Sequence, residues 1–156
     1  MLTALALLTC IGAGTIGGVF FGFSSFVMKA LAQLPRSDGA AAMQRINLVV
    51  LNPVFLGVFV GTALLAVGCT IAAYIPWTTL RSSLLLAAAA FYLVGCFLVT
   101  MRLNVPMNDR LADLDSGSAQ AAEYWPVYVR EWTRWNHVRT AASLASSACS
   151  AASLAT

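Results

Sequence analysis

Charged residues are scarce in this chain, and histidine occurs only once. Of its 156 residues, 10% are Asp, Glu, Lys or Arg and 60% are apolar, which gives a mean hydropathy of +0.80. This composition excludes an ordinary soluble globular protein. The chain also lacks a basic patch with interleaved aromatic side chains, so we expect no nucleic-acid partner.

The few cysteines form neither a disulfide framework nor a metal-binding motif. All four fall inside apolar stretches, without a Cys-x-x-Cys pair: Cys10, Cys69, Cys96 and Cys149. We interpret them as small packing residues. With one histidine and scattered carboxylates, a transition-metal site is a weak competing interpretation, and we predict no metal. The chain also contains no Gly-rich dinucleotide loop, haem motif or nucleophile elbow, and we expect no organic cofactor.

The chain contains several long apolar runs. Residues 2–27, 48–75 and 82–101 carry no charge, and a weaker run at 138–156 carries only Arg139. A helix needs roughly 20 such residues to cross about 30 Å of hydrocarbon. We therefore predict an all-α, integral membrane four-helix bundle that forms one domain over residues 1–156. The alternative is three spans with a surface helix.

Two amphipathic surface segments are predicted to lead into the second and fourth spans, at residues 39–47 and 121–132. Pro53 lies inside the second apolar run, which predicts a kink, and the Asn52 side chain is a candidate partner for the freed Val49 carbonyl. Pro106 is expected to break or kink the chain after the third span. In the first span, Gly14, Gly18 and Gly22 form a strip that another helix can approach closely.

Lysine and arginine lie almost entirely on one side of the predicted bundle. Eight of the nine fall between spans one and two, or between or beside spans three and four, and only Arg81 falls on the other side. The positive-inside bias therefore predicts that the 29–49 and 102–137 loops face the cytoplasm. We expect the membrane to be a bacterial inner membrane.

Polar side chains are concentrated around the single histidine. On a helix, Arg130, Arg134 and His137 share one stripe, and Trp132, Asn136 and Arg139 share a neighbouring one. Ionisable groups at the edge of hydrocarbon are costly, so this cluster indicates a functional site. The alternative is that these arginines contact lipid phosphates or pair with nearby acids.

A second polar cluster surrounds Pro106 at the end of span three. It consists of Asn104, Asn108 and Asp109, and the topology puts it on the same membrane side as His137. An Asp or Asn that accepts the Nδ1 proton would fix the tautomer and make Nε2 of His137 a base.

Several of these segments together resemble the anthrone oxygenase family. They are residues 17–28, 43–47 with Asn52-Pro53, 104–109 and 132–140, in that order. The most specific parts are Asn104-Val105-Pro106-Met107-Asn108 and Trp135-Asn136-His137-Val138-Arg139-Thr140. The resemblance implies a small four-helix membrane protein that oxidises an anthrone, or a similar polycyclic phenol, to a quinone with O₂ and no cofactor.

The resemblance and the polar clusters together give a hypothesis for the site. His137 would be the base, oriented by Asp109 or Asn108. The enolate oxygen would be stabilised by Asn104, Asn136 or Arg134. The substrate would further contact Arg139, Asn47, Asn52, Trp135, Phe23 and Phe26. The expected partners are membrane lipid, a small hydrophobic aromatic substrate and O₂, and a homo-oligomer is a further expectation.

The sequence alone leaves enzymatic activity undecided. One alternative is a non-catalytic membrane module that binds a lipid, quinone or other flat hydrophobe in the same pocket. Another is a structural, oligomeric membrane protein held together by its small-residue helix faces. A transporter is disfavoured because no acidic residue lies deep in a span.

Overall fold

The computed structural model describes residues 1–74 and 79–156, and these residues form helices joined by short connections. We number the helices α1 (Leu2–Ala32), α2 (Arg36–Val49), α3 (Pro53–Tyr74), α4 (Leu80–Ala112) and α5 (Ala119–Ala152). A short 3₁₀ turn, Ser153–Ala155, follows α5. The predicted end of the second span at residue 75 lies outside the described residues.

The predicted all-α membrane bundle is confirmed. Helices α1, α3 and α4 are each long and apolar enough to cross a membrane. Helix α5 has 34 residues and packs against α1 and α4. Its second half is built from alanine and serine, which lowers its hydropathy below that of the other three helices. Its buried face carries Ser143, Ser146 and Ser150, so it is suited to contact helices rather than lipid.

The two ends of the bundle differ sharply in character. At one end, the Arg81 guanidinium at the start of α4 donates to Thr3 Oγ1 near the start of α1, over 2.9 Å. At the other end lie the C-terminal parts of α1 and α4, helix α2 and the first half of α5. We call this second end the basic end, because it holds the other lysine and arginine residues.

Two clusters of buried side chains, both of which include aromatic rings, form the core of the basic end. One packs α2 onto α1, α4 and α5 and contains Met28, Met43, Leu111, Tyr128 and Trp132. The other lies deeper, between α1, α3 and α4, and contains Phe20, Phe59 and Tyr92. The amphipathic segments thus fold over the end of the bundle and leave space between the two clusters.

The prediction of a kinked second span at Pro53 is wrong, because the chain stops one helix and starts another. Helix α2 ends at Val49, and Pro53 takes the first position of α3, where its missing amide costs nothing. Asn52 joins the two ends. Its Oδ1 accepts the amides of Val54 (3.1 Å) and Phe55 (3.0 Å), and its Nδ2 donates to the Val49 carbonyl (3.0 Å). The predicted partner of that carbonyl is confirmed.

Replacing Asn52 with alanine should therefore destabilise the protein by about 1 kcal/mol, the usual cost of losing a helix cap. Thermal unfolding of the purified protein measures this change. Asn52→Asp keeps the acceptor oxygen for the two amides and should lose less. If Asn52→Ala unfolds at the wild-type temperature, the cap does not stabilise the junction.

Helix α4 continues past Pro106, so the predicted break does not occur. Two π-helical stretches, Phe91–Leu98 and Thr100–Asn104, precede the proline, which lies in the first turn of Val105–Ala112. The wider turns of a π-helix shift the hydrogen-bond pattern and are common near functional sites. Helix α1 contains a similar stretch at Phe23–Val27, at the same end of the bundle.

On α1, the closest approaches to other helices use glycines beside the predicted strip. A Cβ on Gly17 would meet the Leu144 side chain of α5 at 2.9 Å, and one on Gly12 would overlap Thr62 of α3. Within the strip itself, Gly14 faces Ser147 at 3.2 Å, whereas Gly18 faces open space. The close packing of α1 therefore depends mainly on Gly12 and Gly17.

Candidate functional site

A cavity of about 240 Å³ lies at the basic end, where all five helices meet. Aromatic side chains make up much of its wall: Phe20, Phe23, Phe55, Phe59 and Trp132. Its polar lining is small: Gln44, Asn47, Thr100, Asn108, Asp109 and Arg139. A mostly apolar wall with a few polar groups is typical of a site for a small ligand.

Arg139 is the cation of this cavity, and it is 97% buried, with only 3% of its surface exposed. Its guanidinium lies over the Phe20 ring (4.1 Å to the centroid) and the Trp132 ring (4.9 Å). Nη2 donates to Asn136 Oδ1 over 2.7 Å and Nη1 donates to Thr100 Oγ1 over 3.3 Å, whereas Nε has no partner among the described residues. Among residues 1–74 and 79–156, no carboxylate forms an ion pair with it.

A buried cation without a counter-ion is costly, because neutral oxygens and aromatic faces replace only part of its hydration. The two rings supply cation–π stabilisation. A flat ligand that carries negative charge on an oxygen would supply the remaining stabilisation of the cation. Because Arg139 is charged, the cavity is suited to an anionic or easily ionised ligand.

Asn136 fixes the position of the Arg139 guanidinium. It is fully buried, and its Nδ2 donates to the Phe20 carbonyl (2.7 Å) and to Ser24 Oγ (2.8 Å). With both amide hydrogens used by α1, its Oδ1 must face the guanidinium. Asn136 therefore positions Arg139 and does not itself line the cavity.

Asn108 presents a second donor to the cavity. Its Oδ1 accepts from Trp132 Nε1 and from Tyr128 Oη, each over 2.8 Å. An indole nitrogen can only donate, so the oxygen of the Asn108 amide must face Trp132. In the described part of the chain its Nδ2 has no partner, which leaves that group free to donate to a ligand.

Tyr128 links the amides on this side of the cavity. Its hydroxyl accepts from Asn47 Nδ2 over 3.4 Å and donates to Asn108. Burial raises the pKa of the Tyr128 phenol, so it remains neutral and keeps its donor role at physiological pH. The sequence indicated only an amphipathic position for Tyr128.

Asp109 is the acidic residue of the described cavity lining, next to Asn108. Its side chain is exposed as well as part of the wall, so it lies at the rim. A carboxylate at this position can exchange a proton with both the cavity and water.

His137 does not reach this cavity, so the expected contact with Asn108 or Asp109 is not formed. It is exposed and lines a separate groove with Arg134. The two stripes recognised on α5 point in different directions: Trp132, Asn136 and Arg139 face inward, whereas Arg134 and His137 face outward. The structure thus separates the histidine from the residues it was expected to join.

Other expected site residues serve the scaffold. Asn104 is fully buried and donates to the Trp132 carbonyl over 3.2 Å, which joins α4 to α5. Trp135 lies beside the Arg134 guanidinium at 5.8 Å, and Phe26 is 64% exposed. The Asn52 side chain is used by the helix cap. Of the twelve expected residues, those that line the cavity are Phe23, Asn47, Asn108, Asp109 and Arg139.

Thr100 is a cavity residue that the sequence reasoning missed. It contacts Arg139 and precedes Asn104 and Asn108 at four-residue spacing on α4. That spacing alone would have extended the polar stripe around Pro106 by one member.

The fold and the site together define a class: a small helical membrane bundle that encloses an aromatic cavity around a buried guanidinium, which no carboxylate of the described residues pairs with. A family model described as anthrone oxygenase matches residues 50–149, which include Asn108, Asp109 and Arg139. The chain belongs to the anthrone oxygenase family. No curated protein and no solved structure matches it.

Proposed function

We propose that this protein oxidises an anthrone, or a similar polycyclic phenol, to the corresponding quinone with O₂ and without a metal or organic cofactor. Membership of the family supports the reaction class. The observation that carries the proposal is the buried Arg139 in an aromatic cavity, where the described part of the chain provides it with no counter-ion. Such a group favours the ionised form of a flat phenolic ligand over the neutral form.

Ionisation is the step for which the protein's residues are needed. Loss of a proton from the central methylene of an anthrone gives an enolate whose charge rests largely on oxygen. Arg139 and the Asn108 amide would donate to that oxygen, and the rings of Phe20 and Trp132 would hold the flat skeleton. Stabilising the charge as it develops lowers the barrier to deprotonation.

Asp109 replaces His137 as our candidate for the base. It lines the cavity, whereas His137 lines another groove. A carboxylate at the rim can take the methylene proton and release it to water.

The oxidation itself then proceeds between the enolate and O₂. The enolate passes one electron to O₂, and the resulting substrate radical and superoxide combine to form a carbon–oxygen bond. The resulting peroxide anion takes up a proton to give a hydroperoxide. Its carbon then loses the remaining hydrogen as a proton while the O–O bond breaks, and the departing hydroxide combines with a proton. One oxygen atom becomes the quinone carbonyl and the other leaves as water, so the step needs no further reductant.

The substrate would reach the cavity from the membrane. Several apolar side chains line the cavity and are also exposed on the outside of the bundle: Leu48 (63%), Leu51 (62%) and Met101 (46%). These residues lie where the α2–α3 junction faces α4. An opening bounded by apolar side chains suits a hydrophobic compound that is already dissolved in lipid.

Replacing Leu51 with tryptophan should narrow this opening and lower kcat/KM for an anthrone by about tenfold, equivalent to about 1.4 kcal/mol. Steady-state oxygen uptake in lipid vesicles measures the effect. Val54→Trp is the matched control, because Val54 is 77% exposed but does not line the cavity. Equal kcat/KM values for Leu51→Trp and wild type would rule out this access route.

Oxygen consumption by the purified protein with emodin anthrone, with and without a chelator, tests the proposed reaction. We expect uptake of O₂ coupled to quinone formation, and no loss of rate with the chelator. Among the described residues, no three His, Cys, Asp or Glu side chains are grouped to hold a metal. Binding without uptake would support the hydrophobe-binding alternative, and chelator-sensitive uptake would support a metal enzyme.

We also propose that the basic end faces the cytoplasm of a bacterial inner membrane. Three helices are apolar enough to span, and the basic end holds eight of the nine lysine and arginine residues. Labelling of single cysteines placed at residues 45 and 115 with a membrane-impermeant reagent tests this orientation. Labelling of both cysteines in intact cells would mean that the basic end faces away from the cytoplasm.

A further inference from the structure

A second groove lies on the outside of the basic end, between α1 and α5, with a volume of about 380 Å³. It shares no residue with the cavity around Arg139. Its lining combines apolar, hydroxyl and cationic side chains: Ser24, Met28, Lys29, Val129, Arg130, Thr133, Arg134 and His137.

The groove carries an excess of positive charge. Lys29, Arg130 and Arg134 contribute three cations. Glu131 is the one carboxylate that pairs with them within the described residues, at 2.8 Å from Arg130 Nε and 4.0 Å from Arg134 Nη1. Two positive charges therefore remain uncompensated. The side chains of Arg130 and Arg134 are 69% and 73% exposed, so they are free to turn toward a ligand.

Thr133 provides an independent sign of a ligand. Six other threonines in the described helices donate their hydroxyl to the carbonyl four residues earlier: Thr9, Thr15, Thr62, Thr70, Thr100 and Thr140. Thr133 does not. Its Oγ1 is buried and has no hydrogen-bond partner in the part of the chain that the structure describes, and Thr133 belongs to the groove lining. A buried hydroxyl that forgoes this bond is available to a polar group in the groove.

The position of the groove indicates which anion it holds. Lys29 lies in the last turn of the helix Leu2–Ala32, which is long and apolar enough to span a membrane. A lysine at the end of such a helix is expected at the level of the membrane surface. Toward the membrane interior, α1 continues with Phe26 (64% exposed) and α5 with Val138 (39% exposed). Cations at the surface beside exposed apolar side chains match a phosphate group with attached acyl chains.

We propose that this groove binds the phosphate of an anionic phospholipid. Arg130 and Arg134 donate to the phosphate oxygens, Lys29 adds charge from α1, and Thr133 Oγ1 and the His137 ring donate from the wall. Charge-assisted hydrogen bonds of this kind are stronger than neutral ones. The site is independent of the proposed oxidation, because no cavity residue takes part.

Native mass spectrometry of the full chain with phosphatidylglycerol, phosphatidylcholine or inorganic phosphate tests the proposal. We expect one retained phosphatidylglycerol per chain, with phosphatidylcholine and inorganic phosphate bound far more weakly. Arg130→Gln combined with Arg134→Gln should weaken phosphatidylglycerol binding by about thirtyfold. Thr133→Val, which leaves every charge in place, should weaken it by at least about threefold.

The control is Arg45→Gln combined with Arg102→Gln, which removes two exposed arginines from the same end but outside the groove. It should weaken binding by less than about threefold. Equal losses in the two double variants would mean general attraction to the basic end and would overturn the proposal. Inorganic phosphate that displaces phosphatidylglycerol at similar concentration would overturn the choice of a lipid. Circular dichroism of each variant checks that the helices are intact.

Discussion

Replacing Arg139 with methionine should lower the turnover of an anthrone by about 100-fold or more, the usual loss when a donor to a developing oxyanion is removed. Stability should change little, because the variant also removes a desolvated charge. That gain offsets the loss of the bond from Nη2 to Asn136 Oδ1. We therefore expect the thermal midpoint to stay within about 4 °C of wild type.

Arg134→Met is the control for this variant. Arg134 is 73% exposed, lies outside the cavity and comes from the same helix, so its loss should leave turnover nearly unchanged. Oxygen uptake and thermal unfolding, measured on both variants, separate the two roles. If Arg139→Met loses stability and activity together, Arg139 is a structural residue and the proposed enolate site fails.

Replacing Asp109 with asparagine should lower turnover by about 100-fold, within the range for removal of a general base. Asparagine keeps the size and hydrogen-bonding capacity of the side chain and removes its ability to take a proton. Binding of the substrate should change little, since the aromatic wall and Arg139 remain. Single-turnover kinetics with an anthrone measure the chemical step directly.

Two companion variants make this result specific. Asp113→Asn removes a neighbouring exposed carboxylate that does not line the cavity, and it should retain full activity. His137→Gln should alter the rate by less than about twofold, because the histidine lies in the outer groove. A large loss in His137→Gln with normal Asp109→Asn would restore the histidine as the base.

Much of the fold could be predicted from the sequence, because the length of an apolar run sets whether a helix can cross a membrane. Helices α1, α3 and α4 follow that rule. The prolines were harder. At Pro53 a new helix begins, capped by Asn52, and at Pro106 the helix continues directly after a π-helical stretch. The length of an apolar run gives no information about a helix cap or a π-helical turn.

The candidate site could be predicted only in part. Helical spacing identified both polar stripes on α5, but it did not show which stripe faces the interior. Because the chain has a single histidine, we assigned the site to the outer stripe, which contains His137. A signal for the inner one was present, since Trp132, Asn136, Arg139, Ser143, Ser146 and Ser150 recur at alternating spacings of four and three residues. The three serines in the second half of this stripe are small residues, which mark the face of a membrane helix that contacts other helices.

An anaerobic absorbance titration of the protein with an anthrone tests most directly whether Arg139 stabilises the ionised substrate. Without O₂, the bound compound cannot be oxidised, and its spectrum reports its protonation state. Wild-type protein should bind it as the enolate at a pH where the free compound is neutral, and Arg139→Met should bind it as the neutral form. The same neutral spectrum in both proteins would contradict the central role given to Arg139.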